Sequence, residues 1–82
     1  MKETKVNIKE FLKKFNEEYD FLYDNDNNVC GYDDALKEGD LFISDKKNIN
    51  FIREFNEYRQ DILSSDREVV AFMFTMESMG LL

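Results

Sequence analysis

The chain has 82 residues, of which 43% are apolar, 15% aromatic and 35% charged, and it carries a formal net charge of −7 at pH 7. A chain of that length buries about 60 to 65% of the surface it exposes when unfolded, so residues 1–82 make one small globular domain without a deep enclosed active site. There is no histidine, tryptophan or proline and a single cysteine, Cys30, which excludes histidine-based catalytic triads, Cys/His zinc sites and any internal disulfide.

The opening residues, Met-Lys-Glu-Thr-Lys-Val-Asn, lack the apolar stretch of a secretory signal. The longest apolar run, Val69 to Phe74, is far shorter than the roughly 20 residues that cross a bilayer. The expectation is a soluble, cytoplasmic protein that makes no use of a membrane.

In chain order, the first element is an amphipathic helix over about residues 8–23. Ile8, Phe11, Leu12, Phe15, Tyr19, Leu22 and Tyr23 fall on one face at helical spacing. Asn7, three residues before Glu10, supplies a capping-box-like start, and Glu10 stands four residues from Lys14 on the wet side. Phe21 lies opposite the stripe, either as a lone exposed aromatic or as a partner contact. Tyr19, Phe21 and Tyr23 also alternate, so residues 19–32 can instead be read as a hairpin turning at Asp24-Asn25-Asp26-Asn27, with Leu41-Phe42-Ile43 as a third short strand.

The middle segment, residues 24–45, is expected to be an irregular acidic insert. Asp33-Asp34-Ala35-Leu36-Lys37-Glu38-Gly39 reads as a single capped turn closed by its glycine, followed by extended chain through Ser44. Cys30, with no cationic neighbour, reads as a small buried or half-buried thiol.

A second long helix is expected over about residues 48–63, where Phe51, Ile52, Phe55, Tyr58, Ile62 and Leu63 share a stripe. Arg59 projects into that stripe, either to cover apolar surface with its stem or to pair its head with a carboxylate. A third helix spans about residues 66–79, with Ser65 and Glu68 as a capping box and Gly80 as its stop. Val69, Phe72, Met73, Met76 and Met79 make one apolar face of it, while Val70, Phe74 and Leu81 make another. A helix with two apolar faces sits between two others or buries one face against a second copy. The fold class is therefore mainly α with three principal helices, the alternative being α+β with a small sheet within residues 19–44.

The charge is unevenly distributed. Residues 1–23 carry five basic and five acidic groups, and residues 46–82 carry five and six. Residues 24–45 set Lys37 against seven carboxylates, Asp24, Asp26, Asp33, Asp34, Glu38, Asp40 and Asp45, for a local net charge of −6. An EF-hand register starting at Asp24 puts Val29 at the glycine position and Ala35 at the closing glutamate position, and one starting at Asp26 puts Lys37 there. Divalent-cation binding is thus a weak alternative, and no cofactor or metal site is expected. Neighbouring Asp33 and Asp34 suit a cap better than a catalytic pair, so no enzyme activity is expected.

A dense set of carboxylates steers encounter with a basic surface and competes for sites that hold phosphates, while it repels nucleic acid itself. The expected function is a small acidic protein-binding module with a basic partner, such as a nuclease or another nucleic-acid-binding complex. Asp24, Asp26, Asp33, Asp34, Glu38, Asp40 and Phe21 are its candidate partner contacts. Val70, Phe74 and Leu81 are the candidate apolar face for a partner or a homodimer. In size and charge the chain is similar to the small acidic inhibitors that phages and plasmids direct against host nucleases and defence complexes, a likeness of type and not of family.

Overall fold

A computed structural model describes residues 6–24 and 30–82. Among these residues four α-helices follow one another, α1 (Ile8–Tyr23), α2 (Tyr32–Ser44), α3 (Ile49–Arg59) and α4 (Asp66–Ser78), with a 3-10 turn at Lys46–Asn48 leading into α3. The mainly helical reading holds, with one more helix than expected and no strand among the described residues. Among those residues no helix is long and apolar enough to cross a membrane.

α1 begins where the Asn7 side chain accepts from the N–H groups of Lys9 (3.0 Å) and Glu10 (3.2 Å), which satisfies two of the donors that a helix start leaves open. It runs through Tyr23, so the first strand of the alternative hairpin is helix. Asp24, the first residue of the hairpin's turn, is the C-cap of α1, and the rest of the turn lies outside the described residues. Lys14 pairs with Glu18 at 3.4 Å rather than with Glu10.

The largest correction concerns the insert. Residues 32–44 form α2, and Leu41-Phe42-Ile43 is its last turn rather than a strand. Gly39 does not end this helix; it lies buried in the middle, where a Cβ would stand 2.4 Å from Val69 Cγ1 and 3.0 Å from Met73 Cγ. The missing side chain lets α2 lie directly on α4. Tyr32, Ala35, Leu36 and Phe42 pack against the core beside it. The far end is closed by side chains: Ser44 Oγ donates to Leu41 O (3.0 Å) and Asn48 Nδ2 to Phe42 O (3.1 Å).

α3 is shorter than its apolar stripe suggested. Gln60 turns left-handed at φ 57°, its N–H and that of Asp61 reach back to Glu57 O and Asn56 O (both 3.2 Å), and the helix stops at Arg59. This is the double bond pattern of a Schellman end with glutamine in the place glycine usually takes. Leu63 is then caught by Asn56 Oδ1 (3.3 Å) and stays in the core, whereas Ile62 is left 67% exposed.

α4 opens on the expected capping box, with Ser65 Oγ accepting from the Glu68 N–H at 3.3 Å, and closes on Gly80 at φ 69° with Leu81 N–H bonded to Met76 O (2.8 Å). It is the central helix, packed on α2 and on α1. Its two apolar faces are covered by the chain itself. Val70 is fully buried and so presents no surface to a second molecule, and Phe74 and Leu81 are half-buried against the core. Thr75, the one buried polar side chain among the described residues, donates to Ala71 O at 2.7 Å.

Phenylalanines fill the centre. Phe11 stands 5.3 Å from Phe51, 5.1 Å from Phe55 and 5.1 Å from Phe72. Most of the pairs meet edge to face, the geometry that adds to area burial in aromatic contacts. α1, α3 and α4 thus meet on one set of rings, and Phe42 ties α2 to it through Phe72 at 5.7 Å.

Candidate functional site

With Ala35, Gly39 and Phe42 turned inward, the helical period of α2 sends Asp33, Asp34, Lys37, Glu38, Asp40 and Leu41 outward, and all six are exposed. The structure brings four of the expected partner contacts, Asp33, Asp34, Glu38 and Asp40, onto this one helix. None of them makes an ion pair among the described residues. Asp24 is exposed at the end of α1, where its N–H donates to Asp20 O (2.9 Å). Phe21 is 62% exposed on the same helix. Asp26 lies outside the described residues.

The acidic residues of α2 do not all have the same relation to its stability. Asp33 and Asp34 sit in the first turn, where a carboxylate complements the helix dipole by about 0.3–1 kcal/mol. Asp45 ends the helix and its Oδ1 accepts from Lys47 N–H (2.9 Å), so it caps the following turn. Glu38 and Asp40 do neither.

Among the acidic residues stands Leu41, 71% exposed on α2, where the sequence suggests extended chain or, in the alternative, a short strand. With Leu82, 63% exposed, it edges an open groove of about 320 Å³ between α2 and the chain beyond α4. Phe42 and Met73 form the apolar floor, and Glu38, Asp45 and Asn48 supply the polar rim. A second groove, about 650 Å³, lies at the α3–α4 turn beside Ile62, lined otherwise by polar side chains such as Asn56, Glu57 and Asp61.

Two further clusters are structural. Arg59 both covers apolar surface and pairs its head with carboxylates, and its side chain is only 11% exposed. Its guanidinium lies over the rings of Phe15 (5.2 Å) and Phe55 (5.5 Å), pairs with Glu68 and reaches Asp61 at 3.3 Å. Burial alone would raise the Glu68 carboxyl. Hydrogen bonds from Arg59, the Ser64 N–H and the Ser65 hydroxyl, with the Arg59 charge, outweigh it and hold the carboxyl below its usual value. In the same first turn of α4, Tyr23 OH donates to Arg67 O (2.9 Å) beneath the Arg67 guanidinium. Burial first, then the neighbouring Tyr32 phenol, push the Tyr23 hydroxyl far up.

Cys30 is exposed, neither buried nor half-buried as its sequence context suggests. Among the described residues no group of three or more cysteine or carboxylate side chains is placed to hold a metal ion. Both EF-hand registers run partly through residues outside that set.

Fold and surface together define a mainly helical protein whose α2 carries an acidic face interrupted by exposed Leu41. The chain matches no protein-family model, no curated protein and no solved structure with which it was compared.

Proposed function

We propose that the protein is a small acidic protein-binding module whose outer α2 face meets a basic surface of its partner. The observation that carries this reading is the set Asp33, Asp34, Glu38 and Asp40 on the solvent side of one helix, without ion pairs among the described residues. Carboxylates held at fixed helical spacing create a local field that speeds encounter with a cationic groove. Glu38 and Asp40 support it most, because the helix itself has no use for them. Within this class the reading favours inhibition of a protein that handles nucleic acid, since such grooves hold phosphates and a carboxylate array competes for the same cationic side chains. The same charge repels nucleic acid directly. The lone exposed Cys30 suits a reducing, cytoplasmic compartment.

Affinity capture from a native lysate at low and at high salt tests the reading. It predicts partners with a basic surface that are released as salt rises. Partners without such a surface, or complexes indifferent to salt, would contradict it.

A further inference from the structure

The charges explain attraction but not the exposed leucine among them. Leu41 has Glu38 three residues before it and Asp45 four residues after it, so both carboxylates flank it on the helix surface. On its other side the groove opens onto the buried edge of Met73 and the half-buried ring of Phe42, with Leu82 across from it.

We propose that this groove seats one apolar side chain of a cationic segment of the partner protein, with lysines or arginines on either side of that anchor against Glu38 and Asp45. The inference rests on the protein-binding reading above and adds an apolar anchor to it. At about 320 Å³ the space is at the lower limit of ligand cavities, the size of an anchor and not of an enclosed cofactor. Charge complementarity selects the occupant. Among the described residues Glu38 makes no ion pair, and the ammonium paired with Asp45 is that of Lys47 at 3.7 Å on a side chain almost wholly in solvent, while Oδ1 of Asp45 accepts from the Lys47 N–H. A second copy of the chain docking by the same face would set Asp34, Glu38 and Asp40 against their own counterparts, and an anionic ligand would meet the same repulsion. An apolar anchor within a basic segment satisfies both the wet leucines and the carboxylates, as in the docking of an amphipathic helix into a groove.

The probes are two short helical peptides, one of leucine and lysine and one in which glutamine replaces every leucine. Binding is followed by the methionine methyl resonances of the protein. The leucine–lysine peptide is expected to bind about tenfold more tightly than its glutamine counterpart, to shift the Met73 methyl, and to lose about tenfold in affinity on Leu41→Asn. Ile62→Asn, which removes a comparably exposed side chain at the α3–α4 turn, is expected to leave affinity unchanged. Both variants alter exposed positions and are checked for wild-type helicity. Equal, salt-sensitive binding of the two peptides with no effect of Leu41→Asn overturns the groove and leaves the electrostatic reading standing. Equal weakening by Leu41→Asn and Ile62→Asn also overturns it. Failure of both peptides to bind at low salt overturns both readings.

Discussion

Replacing Gly39 by alanine separates a helix docked on α4 from a turn that ends at its glycine. On an open helix surface the substitution stabilises by about 1 kcal/mol, because alanine loses less backbone freedom on folding. Here the new Cβ would stand 2.4 Å from Val69 Cγ1 and 3.0 Å from Met73 Cγ. Val69 is buried and β-branched, and in a helix its side chain has one strongly preferred rotamer, so the contact is relieved chiefly by parting the helices. Overpacking of this kind costs about 1–3 kcal/mol. Set against the propensity gain, the expected net loss is centred on about 1 kcal/mol and reaches about 2 kcal/mol, out of a total on the order of 4–12 kcal/mol for a domain of this size. Urea unfolding followed by circular dichroism would show the midpoint falling by about 1 M. A glycine in a left-handed helix end also resists alanine, so the decisive measurement is the cycle with Val69→Ala. Alone, Val69→Ala costs about 2 kcal/mol for its buried methyl groups. In the Gly39→Ala background it removes the atom the new Cβ strikes, and the two losses are expected to fall short of additivity by about 1 kcal/mol. Additive losses, or a Gly39→Ala variant more stable than the parent, would refute the packing of α2 on α4.

Other consequences follow from individual side chains. Glu68→Gln leaves the Arg59 guanidinium without its buried partner and is expected to cost roughly 3 kcal/mol by urea unfolding. Because the folded Glu68 carboxyl lies below its usual value, its stabilisation is complete above the unfolded glutamate value of about 4.3 and is lost as pH falls through the lower folded value. The variant should therefore show a flatter acid limb of stability against pH. For Tyr23 the sign is opposite: the protonated phenol is favoured in the fold, so its contribution is whole below about pH 10 and is lost above it, as the unfolded chain ionises and the folded one does not. Tyr23→Phe should cost about 1 kcal/mol through the lost bond to Arg67 O, and ultraviolet titration should find one phenol fewer that ionises only on unfolding. Gln60→Gly should raise stability by about 0.5–1 kcal/mol, since a left-handed backbone costs glutamine more than glycine; no gain in thermal midpoint would contradict the geometry of the α3 end.

The boundaries of α1 and α4 are legible in the sequence, because each combines a polar cap, a long apolar stripe and, for α4, a terminal glycine. α2 is not, and the reason is local. Gly39 and Asp40 are poor helix formers that read as a stop, and glycine contributes nothing to an apolar stripe, although the space it leaves is what seats the helix. Once Gly39 is counted on the inner face, Tyr32, Ala35, Leu36, Phe42 and Ile43 fall into helical register around it. The end of α3 is hidden for the opposite reason: Gln60 carries no signal for a left-handed backbone, so Ile62 and Leu63 extend the stripe on paper beyond the real helix. Of the candidate site, the carboxylates were visible as a charge-dense segment. Their common helix and the exposure of Leu41 depend on α2 and were out of reach without it. Val70 was misplaced because a helix with two apolar faces does not show in sequence whether its own chain or another covers the second.

The central claim is that Glu38 and Asp40 serve binding and not folding. It is tested most directly by the Glu38→Gln/Asp40→Asn variant, with melting temperature and affinity for the leucine–lysine peptide measured on the same protein. The account predicts an unchanged or slightly higher melting temperature, with binding roughly threefold to tenfold weaker at low salt and a shallower salt dependence. Wild-type affinity, or a lowered melting temperature with affinity intact, would contradict it.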